Sequence, residues 1–178
     1  MTNTDLDALA RDLDHCSRLS GNFVLRSGQL TEQYFDKYLF ESDPRLLERI
    51  VNRMVPLIPP NTELLGGLEL GGIPLSTMLS SRTSLPTLFI RKKAKEFGTR
   101  RLAEGGNPTG RVVVLVEDVI TTGGDVRDAA KALRALGATV THVVCAIDRS
   151  IPGSEPLLQD GITINSVLTK ALFDGARS

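Results

Sequence analysis

Residues 111–124 constrain the fold more than any other stretch of the chain. Arg111 opens a run of Val112, Val113, Val114, Leu115 and Val116, nearly all β-branched, which suits a strand buried on both faces of a parallel sheet. Glu117 and Asp118 follow at once, then Val119, Ile120, Thr121, Thr122, Gly123 and Gly124. A helical pattern over about 125–136 comes next, with Gly137 placed to end it. The same alternation runs through the rest of the chain after residue 60. Residues 63–68, 87–90, 139–147 and 162–167 read as strands, and 74–81 as a helix behind a glycine-bearing loop. Strands alternating with helices imply an open, mostly parallel α/β sheet. Ligands of such sheets bind outside the carboxyl ends of the strands.

Before residue 60 the pattern is less regular. Leu6, Leu9, Ala10 and Leu13 recur at helical spacing and predict a first helix. Asp43 as cap, Pro44 at the first helical position and an apolar stripe of Leu46, Leu47, Ile50, Val51, Met54 and Val55 predict a second, which Pro59-Pro60 should stop. Residues 23–28 and 33–36 read as short extended pieces around a turn. With 178 residues the whole chain, 1–178, is expected to be one domain. The 21 basic and 21 acidic side chains cancel, which argues against nucleic acid or an anionic membrane as the main partner. The acidic start of the chain has no secretion signal, and Glu69, glycines and Pro74 interrupt the longest weakly charged stretch, so no membrane span is expected. Cys16 and Cys145 lack metal-site spacing and read as reduced thiols.

The corner after residue 116 carries the chemistry. Two neighbouring carboxylates can accept hydrogen bonds from a vicinal diol such as that of ribose. Thr121 to Gly124 offer hydroxyls and close-approaching amides at a helix N-terminus, a ready phosphate cradle. Together they describe a site for a ribose 5-phosphate. An isolated acidic pair before a helix is more often a simple capped turn, but the complete run is far more specific. It is neither a nucleoside triphosphatase loop, lacking Gly-Lys-Ser/Thr, nor a dinucleotide fingerprint. It resembles the phosphoribosyl-diphosphate motif of the type I phosphoribosyltransferases.

Directly after the 87–90 strand comes Arg91-Lys92-Lys93-Ala94-Lys95-Glu96-Phe97-Gly98-Thr99-Arg100-Arg101. Alone, such a charge run is usually a solvated surface. Beside a sugar-phosphate site it can neutralise a departing diphosphate and exclude water. Its Arg-Lys-x-Ala-Lys-x-x-Gly pattern, together with Phe23-x-Leu25-x-Ser27-Gly28 leading to Tyr34-Phe35-Asp36 and with Ile147-Asp148-Arg149, looks like the orotate phosphoribosyltransferases. The matches extend over about residues 20–150, in that family's order.

This resemblance implies a type I phosphoribosyltransferase-like fold with a small N-terminal hood, about residues 1–40, over the base site. It implies transfer of a 5-phosphoribosyl group from 5-phosphoribosyl 1-diphosphate to orotate, giving orotidine 5′-phosphate and diphosphate in pyrimidine biosynthesis. A cytoplasmic homodimer whose basic loop reaches the other subunit's site is implied too, with Mg²⁺ on the diphosphate and no protein metal ligands assigned. Carried over by position, Glu117 and Asp118 hold the ribose hydroxyls, and Val119, Ile120 and Thr121 to Asp125 surround the sugar phosphate. Arg91, Lys92 and Lys95 handle the diphosphate, with Lys95 and Arg91 catalytic, and Leu70 and Gly71 complete the donor site. Thr121, Arg149, Arg26, Tyr34 and Phe35 bind orotate, a planar anion suited to a guanidinium and an aromatic wall.

Three positions depart from the family's usual pattern. Phe97 stands where histidine is common, Gly71 where many members have lysine, and Asp125 where a small residue is usual, an acid read as pointing away in the first helical turn. His15 and His142 have no partners at catalytic spacing. Two other readings are compatible with the residues: a phosphoribosyltransferase for a purine or uracil, and a non-catalytic nucleotide-sensing regulator on the same fold.

Overall fold

A computed structural model describes residues 3–25, 27–93 and 102–176. Arg26, Lys95 and Phe97, all named above, lie outside these residues. Helix α1 spans Asn3–Ser17, and an antiparallel pair follows, β1 (Arg18–Val24) and β2 (Leu30–Phe35). Helices α2 (Lys37–Ser42) and α3 (Pro44–Met54) lead to a 3₁₀ turn at Val55–Leu57. The remainder is β3 (Leu64–Leu68), α4 (Gly72–Thr83), β4 (Thr87–Ile90), β5 (Ala103–Glu104), β6 (Val112–Ile120), α5 (Gly124–Ala135), β7 (Thr139–Asp148), β8 (Thr163–Thr169) and α6 (Lys170–Gly175).

The main sheet has the order β5-β4-β3-β6-β7-β8, parallel throughout except for β5 at one edge. β3 and β6 are central neighbours although α4, β4 and β5 separate them in sequence, so their carboxyl ends open a crevice. Side chains of successive strand residues point to opposite faces. Val114 and Val116 pack with Leu13 of α1, Ile50 of α3, Leu75 of α4 and Phe173 of α6. Val113 and Leu115 pack with Val126, Ala130 and Leu133 of α5. Both faces are therefore covered, as the β-branched run predicts.

The second helix of the sequence reading, α3, starts as expected. The Asp43 carboxylate accepts from the Arg45 and Leu46 amides at 2.8 and 3.2 Å, and the helix buries the stripe from Leu46 to Met54. It ends at Met54, before the two prolines, because Pro56 already favours the tighter turn. Other boundaries differ. β1 begins at Arg18, not Phe23, and beyond its end the Leu25 amide donates to the Gln29 carbonyl at 2.8 Å. Helices α2 and α6 and strand β5 are too short to give a readable period. Most consequentially, β6 runs on to Ile120, pairing Val119 with Ile147 and Ile120 with Asp148. The acidic doublet thus lies within the strand, not beyond it. No helix among the described residues is long and apolar enough to cross a membrane, and both cysteines are free thiols.

Candidate active site

A cavity of about 820 Å³ opens at the carboxyl end of β6. Its floor is Glu117, Val119, Ile120 and the turn Thr121 to Gly124, and its walls include Tyr34, Phe35, Lys37, Asp125 and Arg149. The turn enters α5 without a side-chain cap, so the amides of that helix's first turn face the cavity's end unclaimed by a capping group. Gly123 has φ +70°, and a Cβ there would lie 2.7 Å from Leu157 Cδ2. Only glycine fits both the backbone and the space.

The hood supplies the aromatic wall. Tyr34 stacks on Phe23, with centroids 5.4 Å apart, while Phe35 turns the other way and meets Phe173 edge-on at 5.2 Å. Arg149 leaves the end of β7, where its amide donates to the Ile120 carbonyl at 2.8 Å. Its guanidinium lies 5.6 Å from the Phe35 ring centre and 6.0 Å from that of Phe173. Thr121, Arg149, Tyr34 and Phe35 therefore share one cavity.

The two acids of the doublet differ in their exposure to the cavity. Glu117 lines the cavity, together with Asp125, Val126 and Asp128 of α5. Asp118 does not line the cavity and is fully buried, with its Oδ2 2.6 Å from Lys37 Nζ and its Oδ1 accepting from the Val119 amide at 2.5 Å. A Cβ on Gly71 would sit 1.8 Å from Asp118 Oδ2 and 2.6 Å from Glu41 Oε1, so this loop glycine gives the two carboxyls their room. Burial, then contact with Asp118, pushes Glu41 up to about 9. The same two causes raise Glu117 well above the carboxylate range. Burial alone would raise Asp118, but hydrogen bonds from Glu117 and Glu41 and the Lys37 charge outweigh it and hold it at about 2. Lys37 and Glu41 were not legible as site residues in the sequence; an Asp36 cap ahead of Tyr38 and Phe40 is the one local hint of the short helix that carries them.

Arg91, Lys92 and Asp125 border a smaller adjoining cavity of about 80 Å³. The Arg91 amide donates to the Leu102 carbonyl, and the Lys92 amide donates to the Glu69 carboxylate. Leu70 is largely exposed on the loop after β3, next to buried Gly71, and neither lines the larger cavity. Asp125 does not turn away as its place in the first turn suggested. Its Oδ2 lies 3.3 Å from Lys92 Nζ, in an exposed pair. Because such pairs are weak, Asp125→Ser is expected to lower the KM for an anionic substrate at Lys92 only about twofold. Steady-state kinetics in low salt measure this, and a raised KM would show that the pair helps binding.

Residues 45–168 match the family model described as a phosphoribosyl transferase domain. The orotate phosphoribosyltransferase of a Nocardioides species is 61% identical over 97% of this chain and 97% of its own. That of Methanocella arvoryzae is 40% identical over 83% and 85%. This chain belongs to the orotate phosphoribosyltransferase family. Among solved structures, the orotate phosphoribosyltransferase of Mycobacterium tuberculosis is similar with inorganic phosphate bound (28% identity, TM-score 0.82, 96% of this chain and 99% of that one). It is similar also in complex with 5-phospho-α-D-ribosyl 1-diphosphate (27%, TM-score 0.78, the same coverage).

Proposed function

We propose that the chain transfers the 5-phosphoribosyl group of 5-phosphoribosyl 1-diphosphate to N1 of orotate. The observation that carries this reading is the shared cavity. It brings together uncapped helix amides and the Thr121-to-Gly124 turn for a phosphate, and Arg149 over an aromatic wall for a planar anion. Glu117 in that cavity meets the pentose hydroxyls. Arg91, Lys92 and Lys95 receive the diphosphate, and Arg26 joins the base pocket. The bond from the anomeric carbon to diphosphate breaks ahead of attack, its electron pair leaving with diphosphate and positive charge building on that carbon; N1 then bonds to it and the N1 proton leaves to solvent. Catalysis rests on neutralising the leaving group, chiefly by Lys95 and Arg91, and on holding orotate in line.

Among the described residues no group of three His, Cys, Asp or Glu side chains is arranged to hold a metal ion. Oxygen donors of the diphosphate and water suit Mg²⁺, so the residues fit an ion carried in by the substrate, where it would spread the leaving group's charge. The proposed assembly is a homodimer in which the basic loop of one subunit reaches the other's cavity. Diphosphate release with orotate, uracil and purines offered in parallel, with Mg²⁺ present, tests the reading. Release with orotate alone is expected; release with a purine and not orotate would overturn it.

A further inference from the structure

Three buried carboxyls and one lysine meet beneath the strand corner, more charge than a diol contact requires. Glu41 is 7% exposed and Asp118 0%. Read as ionised, Glu41 Oε1 and Glu117 Oε2 would each be a buried acceptor with no donor, an arrangement that costs too much to persist. A proton on each supplies the missing donor and aims it at Asp118. The groups facing Glu41 are Asp118 from β6 and Lys37 and Asp36 from its own end of α2; the facing loop brings only Gly71. One anion and one cation then remain, 2.6 Å apart.

We propose that Lys37 and Glu41 are positioning residues of the sugar site, holding Asp118 as a single buried anion so that Glu117 alone of the doublet faces the cavity. The proposal rests on the reading that this cavity takes the donor's pentose. Asp118 acts on the pentose through place and charge. Clamped by Lys37, by Glu41 and by the Val119 amide, it fixes the backbone turn that leads into the phosphate loop and takes the hydrogen bond that sets the Glu117 carboxyl. Lys37 also lines the cavity, about one-third exposed, so the hood that covers the base is tied by charge to the strand under the sugar.

Two variants of each residue test this. Lys37→Met should raise the KM for 5-phosphoribosyl 1-diphosphate about tenfold while kcat stays within about threefold, and Lys37→Arg should recover most of the loss. Glu41→Ala should raise the same KM comparably, and Glu41→Gln, a neutral donor of the same shape, should restore it. The group holds its proton through neutrality and releases it as pH climbs through about 9, so the wild-type KM for the donor should rise there and the Glu41→Gln rise should be absent. Infrared difference spectra of wild type against Glu41→Gln at neutral pH should show one protonated carboxyl band lost in the variant, while the Glu117 band common to both cancels, a readout independent of turnover. An unchanged donor KM in Lys37→Met overturns the role of Lys37. A Glu41→Gln as impaired as Glu41→Ala, or no protonated carboxyl band lost on that substitution, overturns that of Glu41. Wild type inactive with orotate would count against the proposed reaction instead, leaving the infrared result to judge Glu41.

Discussion

Gly123→Ala should cut kcat/KM for the donor by more than about 100-fold and destabilise the protein by roughly 2–5 kcal/mol. Two costs combine. A non-glycine residue at φ +70° pays about 1–2 kcal/mol. The new methyl would also stand 2.7 Å and 2.8 Å from Leu157 Cδ2 and Cγ, and forcing extra volume into a packed site costs about 1–3 kcal/mol. Leu157 is fully buried, so it has little room to give. Either the loop moves outward, spoiling the amide cradle, or α5 shifts. Gly161→Ala is the control: it has φ +66° but nothing within 4 Å of a new Cβ. It should show only the conformational cost, with activity retained. Thermal denaturation and donor titration measure both, and full donor affinity in Gly123→Ala would show that the turn is not the phosphate cradle.

Arg149→Ala should raise the KM for orotate about 10- to 200-fold, the equivalent of roughly 1.5–3 kcal/mol for hydrogen bonds to a charged group. The donor KM should change less than about threefold, because the guanidinium rests by Phe35 and Phe173 of the aromatic wall, while the donor needs the phosphate turn. Arg149→Lys should recover little, since an ammonium cannot reproduce a flat two-point contact with a carboxylate or lie face-on over Phe35. Separate KM values for the two substrates decide the matter. A larger change for the donor than for orotate would move Arg149 out of the base pocket.

Both predictions draw on features of different legibility. Gly123 was singled out from sequence because Thr-Thr-Gly-Gly after an apolar strand has a mechanical meaning, but its clash with Leu157, from the loop before β8, could not be read there. The stripe of α3 and its Asp43 cap were readable because helix periodicity and capping are local. Tyr34 and Phe35 were readable as a pair, whereas their opposite directions, one on Phe23 and the other on Phe173, depend on which face of a two-stranded ribbon meets the core. Asp125 was read as turned from the site because first-turn acids commonly serve the helix dipole. The nearby Lys92, brought over from the end of β4, gave it another partner.

The acidic doublet shows the division most plainly. Residue order alone determined the alternating strands and helices, the glycine corner and the placing of two acids beside it, because these follow from backbone preferences and short-range spacing. Only the folded chain decided that β6 continues through those acids, which sends Glu117 into the cavity and Asp118 beneath it to Lys37 and Glu41. The physical reason is that a strand ends where its neighbour stops hydrogen-bonding to it. β7 pairs with β6 as far as Ile120, and that partner, like the hood's lysine, is set by tertiary packing.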